Sequence, residues 1–471
     1  MDTNAKRGLL KPMDSYDSEE DSISSDDELL GGEERVPSIQ TRSGAPPASS
    51  FTDPDDMSAS LNAPEDKGNV IYIIFFIQGI GMLLPWNFFI TAKSYFSYKF
   101  EENATFQDRF ENAFALAAMI PGVLSLLFNI FMTGRISRNF RLTLSLTVMF
   151  LAFVATTVLV KVDTQDKPTM FFAITVATCT ILNLATGIFQ GTIFGIAGII
   201  GSRYMQAIMS GQATAGIFAA VADLATKLAN PNYAKEPTTS ALIYFIIASA
   251  FIIITGIAYS TLFRLPRMQF YFRRFERHTE RDIENRQTAN HTPNVEKIPY
   301  VLILKAISGK AASVFIVFAI TLTCFPAIMA GISSTNKGNG SVWDNELFAT
   351  LVVFLVFNVG DWIGRILAGI VQIVNEKSKW LIVLCISRIV FIPLFLMCNY
   401  EHRVLPYVFN HDFWPIIINI LFSVSNGYLG SLGMMYGPKM VALEYGETAG
   451  TMMSLFLQMG LTFGACLSFA F

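Results

Sequence analysis

From residue 69 onward the sequence is a succession of apolar runs about 20 residues long, separated mostly by short polar connections. A helix needs about 20 residues to cross a hydrocarbon core, and lipid offers no partner to an unpaired backbone N–H or C=O, so runs of this length fold as membrane-spanning helices. Eleven spans are expected, near 69–92, 112–133, 142–162, 169–200, 206–228, 241–263, 312–334, 346–374, 380–398, 413–436 and 448–471. The longest polar break among them, 264 to 298, divides six spans from five. It predicts two bundles, 69–263 and 312–471, joined by a linker loop, 264–311. The expected class is therefore an all-α polytopic membrane protein. With 471 residues, 52% apolar and 15% charged, the chain is too apolar for a soluble globule and too long for a simple anchor.

Arginine bias orients the spans. The connection with Arg135, Arg138 and Arg141 and the linker with Arg264, Arg267, Arg273, Arg274, Arg277 and Arg281 fall on one side by parity, which is expected to be the cytosol. The acidic, Ser-rich stretch 1–68 then lies in the cytosol as well, too poor in large apolar groups to order itself, and carries no cleavable signal peptide. Within it, Leu29 and Leu30 follow Ser24, Ser25, Asp26, Asp27 and Glu28, the pattern of an acidic dileucine signal for a sorting adaptor. An incidental leucine pair in a solvated tail is the alternative. Parity places Asn103 and Asn339, both in N-x-S/T triplets, on the opposite side as glycan acceptors, whereas the third triplet, at Asn290, stays bare in the linker.

Charge inside the membrane is the next constraint. The eighth span holds Asn358, Asp361 and Arg365, and a charge at the centre of a bilayer-spanning helix costs about 2.5 to 3.5 kcal/mol on insertion scales. Phe354, Asn358, Asp361 and Arg365 step by four, three and four, so they share one face, and that face lines the protein interior. An internal ion pair that locks its own helix and a solute site both satisfy this pattern. In the fourth span Gly187, Gly191 and Gly195 form a small-residue ridge beside the amide of Gln190, and Gly211, Ala215 and Ala219 continue it in the fifth, where Gly216 is a further packing residue. Pro85, with Trp86 and Asn87, interrupts the first apolar run, and Pro326, after Phe325, the seventh; proline frees a carbonyl and permits bending, as an alternating-access carrier requires. Asp223 is expected to pair with Lys227 one turn on, and Arg388 either snorkels or pairs internally.

The five cysteines lie in or beside apolar segments without metal spacing and are read as packing, and the four histidines lie in polar segments. No metal or cofactor is implied. Nothing resembles a nucleophile with its base, a phosphate loop or an ATP-hydrolysing domain, so an enzyme is not expected. The residues alone lead to a secondary carrier of a polar, hydrogen-bonding small molecule in the lipid bilayer.

Four motifs extend this reading: GMLLPWNFF from Gly81 to Phe89, YMQAIMSGQATAG from Tyr204 to Gly216, FNVGDWIGR from Phe357 to Arg365, and SNGYL from Ser425 with YGPK from Tyr436. They resemble the equilibrative nucleoside transporters over residues 69–471. The resemblance implies a major-facilitator-like bundle of six plus five helices with a nucleoside, and possibly a nucleobase, bound between the halves. Carried over by motif, Gln190, Asn358, Asp361 and Arg365 would bond base and ribose, and Trp86, Met119, Phe325, Phe354 and Leu461 would wall the site. The sequence departs from the family pattern at Thr186, where a glycine can stand, and at Gly122, where a leucine can. The plasma membrane is the expected residence. The acidic dileucine tail and the loop TNKGNGSVW leave the lysosomal or late endosomal membrane as the alternative.

Two rivals remain. A carrier of monoamines or other organic cations would need an unpaired acid in the first half, where Asp223 is the candidate carboxylate. A receptor that binds without transport would not need two matched, bent bundles.

Overall fold

The structure, a computed structural model, describes residues 64–100, 104–162, 164, 167–229, 237–289, 298–338, 341, 347–400 and 406–469. Among these residues ten helices are long and apolar enough to cross a membrane, and an eleventh apolar helix, Trp380–Leu396, is shorter. The helices are α1 (Val70–Thr91), α2 (Ala104–Met132), α3 (Arg138–Lys161), α4 (Pro168–Ile200), α5 (Ser202–Ala229), α6 (Pro237–Leu262), α7 (Tyr300–Thr323), α8 (Val356–Ile370), α9 (Trp380–Ser387), α10 (Phe413–Tyr436) and α11 (Gly446–Ser468).

Helix packing repeats at an offset of six. Helix α1 packs on α5 as α7 packs on α11, and α2 packs on α4 as α8 packs on α10. The contacts between the first six helices and the last five repeat in the same way. Helix α11 lies against α2 and α4, while α5 lies against α8 and α10. Two seams therefore join the halves, related by the pseudo-symmetry of an internal repeat. Close approach makes the matching contacts possible. At Gly211 on α5 a Cβ would overlap the carbonyl of Phe76 on α1, and at Gly460 on α11 it would crowd the carbonyl of Phe315 on α7. Lipid gives no hydrophobic drive between helices, so this closeness supplies the dispersion contact that holds them.

The elements differ from the apolar pattern in four places. Helix α7 starts at Tyr300, twelve residues before the expected span, because Lys310 does not end it: its ammonium donates to the carbonyl of Ser378 at 3.1 Å while its stem stays buried. The linker is also not simply a loop, since Pro266–Ala289 forms a helix whose Phe272 stacks on Phe263 at 5.3 Å. Helix α8 stops at Ile370 although apolar residues continue to Val374. The hydroxyls of Tyr428 and Tyr436 on α10 donate to the carbonyls of Val371 and Val374 at 3.0 and 2.7 Å, which supports non-helical backbone there. Helix α9 breaks into a 3₁₀ turn at Arg388–Val390 and resumes over Phe391–Leu396, which contains Pro393.

Prolines act unequally. Helix α1 continues through Pro85 without a break. Beyond α7, by contrast, a π turn spans Cys324–Ile328, and Phe325, ahead of Pro326, leaves helical geometry at φ −111°, ψ 128°. A second π segment, Ala349–Leu355, leads into α8.

Candidate functional site

The seam between α5 and α8/α10 holds the charged stripe. Asp361 and Arg365 are buried, 4% and 5% exposed, in a segment that must satisfy them from within. Arg365 Nε donates to Asp361 Oδ2 at 2.8 Å, and Asn426 Nδ2 on α10 donates to Asp361 Oδ1 at 2.6 Å. The guanidinium then crosses the seam, its Nη1 donating to the carbonyl of Met209 on α5 at 2.8 Å. Gln206 of α5 returns the contact, donating to the carbonyl of Arg365 at 3.1 Å. Further along the seam, Asn358 Nδ2 donates to the carbonyl of Phe354, one turn back, at 2.8 Å. Its Oδ1 lies where a Cβ on Gly216 of α5 would sit.

Arg388 is settled by burial: it is 2% exposed and packs inward, over the ring of Phe422. Its guanidinium donates to the carbonyls of Val317 and Phe422 at 3.0 and 3.1 Å, to Thr321 Oγ1 at 3.1 Å and to Asn426 Oδ1 at 3.3 Å. Thr321 also donates to Asn426 Oδ1 at 2.6 Å. With its oxygen held by these donors, the Asn426 amide can turn only its N–H toward Asp361. Asn426 stands within the SNGYL motif, where nothing in the sequence marks it as the partner of Asp361.

The carried-over wall residues Trp86, Met119, Phe325, Phe354 and Leu461 are each half-buried. Phe325 stacks on Phe357 with ring centroids 3.9 Å apart and meets Phe354 edge-on at 5.5 Å, so the break beyond α7 holds an aromatic group against α8. Gln190 is buried, and its Nε2 has no partner among the described residues. A buried amide hydrogen without a partner costs about 1 to 3 kcal/mol, a deficit that a ligand acceptor would remove. Thr186 turns its hydroxyl back to the carbonyl of Leu182 at 2.8 Å.

The second seam was missed. Glu447, at the start of α11, is 4% exposed and accepts from Arg138 Nε at 2.7 Å and from Arg141 Nη2 at 2.6 Å. Arg141 also donates to Asn129 Oδ1 on α2 at 2.7 Å, and Asn129 reaches Thr192 of α4 at 3.3 Å. The glycine ridge of α4 lets both neighbours approach: Gly187 faces Ser125 of α2, Gly191 faces Asn129 and Leu126 of α2 as well as Thr451 of α11, and Gly195 faces Glu447 and Thr451 of α11. In the sequence Arg138 and Arg141 mark orientation; in the structure they also hold Glu447. Glu447 fell one residue outside the expected last span, although an acid at the mouth of an apolar run is a signal in itself.

Leu29, Leu30, Asn103, Asn290 and Asn339 lie outside the described residues, as does the side chain of Lys227 and with it the expected pairing with Asp223.

A membrane bundle that repeats at an offset of six helices, with a charged side chain bonded across each of the two seams between its halves, has the architecture of a major facilitator transporter. The solved structures agree on the fold. The proton:xylose symporter of that superfamily superposes with a TM-score of 0.55 at 12% identity, covering 85% of this chain and 88% of that one. The E. coli fucose:proton symporter superposes with 0.53 at 12% identity, covering 85% and 91%. The sequence goes further. Residues 174–471 match the family model described as nucleoside transporter. Human equilibrative nucleoside transporter 1 is 36% identical over 457 residues, 87% of this chain and 98% of that protein. Rat equilibrative nucleoside transporter 3 is 35% identical over 441 residues, 87% and 90% of the two chains. The chain belongs to the nucleoside transporter family.

Proposed function

We propose that the protein carries nucleosides across a membrane down their gradient, exposing one site alternately to either side. It is a carrier and not an enzyme. The observation that carries the mechanism is the pair of seams. Arg365 to Met209 and Glu447 to Arg138 and Arg141 are ionic or charge-assisted contacts made across the halves, so each can break and re-form as the halves rock. Met209 lies seven residues into α5 and Glu447 one residue into α11, which puts both contacts toward the arginine-bearing end. By the arginine bias that end is cytosolic, and the conformation described is closed there.

Gln190 on α4 offers an unsatisfied amide to the base, and along the α5–α8 seam Asn358, Asp361 and Arg365 offer acceptors and donors to the ribose hydroxyls. Trp86, Met119, Phe325, Phe354 and Leu461 form the apolar walls. The charge of Asp361 is balanced by the Arg365 guanidinium on its own helix, so it is not the spare acid that an organic cation would seek. Residence at the plasma membrane, with Leu29 and Leu30 read by a sorting adaptor and Asn103 and Asn339 glycosylated, completes the reading; lysosomal residence is the alternative. Cell-surface labelling of Leu29→Ala/Leu30→Ala against wild type separates the two.

Proteoliposomes supplied with labelled uridine, adenosine and a monoamine test the transport reading. Saturable nucleoside flux that the monoamine does not share is expected. Monoamine flux without nucleoside flux would move the protein to the cation carriers, and binding without any flux would make it a receptor.

A further inference from the structure

Gln458 was not singled out by the sequence, since it is one amide inside an apolar run. In the structure it stands half-buried on α11, one turn before Leu461 and on the same face. Among the described residues its side chain makes one hydrogen bond, a long one from Nε2 to the thioether of Met119 at 3.7 Å. Sulfur is a weak acceptor, so the amide retains nearly all of its bonding capacity in the membrane interior. The space it occupies is opened by Gly122 of α2. A Cβ there would stand 3.0 Å from Gln458 Nε2, so a larger residue at 122 and the amide at 458 compete for one volume. The other side of Gly122 is shared: its carbonyl would lie 3.1 Å from a Cβ on Gly187, which precedes Gln190 by three residues, about one turn of α4. Two under-satisfied carboxamides thus stand on α4 and α11, Gln458 against Gly122 and Met119, and Gln190 one turn along α4 from the Gly187 that meets Gly122.

We infer that Gln458 is a second base-reading amide of the nucleoside site, opposite Gln190, and that Gly122 is the residue that makes room for it. The inference rests on the nucleoside reading above. A carboxamide places a donor and an acceptor side by side, and adenine presents their complement in its 6-amino group and the neighbouring ring nitrogen. Gln458 therefore selects for bases with an exocyclic hydrogen-bonding group and is indifferent to the ribose.

The test compares adenosine, 2′-deoxyadenosine and purine riboside, which lacks the 6-amino group, in wild type, Gln458→Met and Gly122→Leu, with flux normalised to protein in the membrane. Met keeps the length of the side chain and removes the amide. Gln458→Met should raise KM about tenfold or more for adenosine and for 2′-deoxyadenosine alike, which lose both the amino and the ring-nitrogen bond, and several-fold less for purine riboside, which has only the ring-nitrogen bond to lose. Gly122→Leu should reproduce this base-selective loss by displacing the amide, and the double variant should add nothing further. An equal loss for adenosine and purine riboside, or no loss for either, overturns the inference. If Gln458→Met does not reach the membrane, the selectivity of Gly122→Leu decides alone. Wild type that carries no nucleoside defeats the transport reading itself, whereas nucleoside flux with unselective variants defeats only the role of Gln458.

Discussion

Arg365 on α8 donates to the backbone carbonyl of Met209 on α5 across 2.8 Å, while its Nε holds Asp361 on its own helix at the same distance. One guanidinium thus ties the charge of the stripe to the opposite half, and it does so through a carbonyl that no side-chain substitution on α5 removes. Two contacts in different directions require the planar fork of arginine, because an ammonium cannot hold both in the same geometry. Arg365→Lys is therefore expected to retain the ion pair and lose the crossing. Hydrogen bonds to charged groups are worth about 1.5 to 3 kcal/mol, so uridine flux should fall about tenfold or more at unchanged surface protein. Surface biotinylation alongside initial-rate uptake checks this, and unchanged flux would make the crossing incidental.

Glu447 faces two arginines, and its carboxylate is the only acid among the described residues in ion-pair contact with Arg138 and Arg141. Glu447→Gln keeps the shape and removes the charge, which leaves a buried Arg141 without its counter-ion. The closed arginine-bearing end should open more often. A cysteine placed at Thr451, one turn further along α11, in a background lacking the exposed Cys466, reports it. An impermeant thiol reagent applied from that end should label it several-fold faster in Glu447→Gln than in the matched control. Equal labelling rates would show that the glycine contacts of α4, not the charges, hold the seam.

The span pattern and the stripe were legible because burial in lipid leaves a clear hydropathy signal and because charges in an apolar run must be accounted for. Asp361 and Arg365 declared themselves in this way. Their partners did not. Met209 contributes a backbone carbonyl, which every residue carries, and Asn426 is one amide in a helix that gives no sequence cue to its register against α8. Arg388 was visible as a buried cation but undecided, since its acceptors are carbonyls and a hydroxyl from α7 and α10. The end of α8 was misplaced for a related reason: the tyrosines that satisfy Val371 and Val374 lie nearly 60 residues away or more.

Two glycines of α5 separate packing from transport. A Cβ at Gly211 would overlap the Phe76 carbonyl, and backbone cannot step aside without parting α1 from α5. Gly211→Ala should therefore lower the amount of folded protein. At Gly216 the obstacle is the Asn358 amide, a side chain that can rotate. Gly216→Ala should accumulate normally yet carry nucleoside poorly, because the amide is pushed from its place. Detergent-resistant monomer by size-exclusion chromatography, set against flux per molecule, distinguishes the two, and identical behaviour of both variants would deny Asn358 a place in the site.

Asp361 is the sharpest case, because the structure gives it a full set of protein partners and the proposed function asks more of it. Each carboxylate oxygen has two lone-pair directions, and one bond from Asn426 and one from Arg365 leave room for a ribose hydroxyl to donate. Asp361→Asn preserves the shape. If the residue only balances Arg365, the change strands a buried guanidinium, and the cost, about 3 to 5 kcal/mol for a broken buried pair, should appear as lost protein with flux per molecule intact. If it also holds the ribose, protein should persist while uridine KM rises about tenfold or more. The penalty should then be smaller for the deoxyuridine that already lacks the contacting hydroxyl. We expect the second pattern for Asp361→Asn, and for Gln190→Ala a loss that varies with the base and not with the sugar. Initial-rate uptake of uridine, 2′-deoxyuridine and 3′-deoxyuridine, normalised to surface protein, reads both. Equal losses for ribose and deoxyribose substrates would confine Asp361 to holding Arg365 in place.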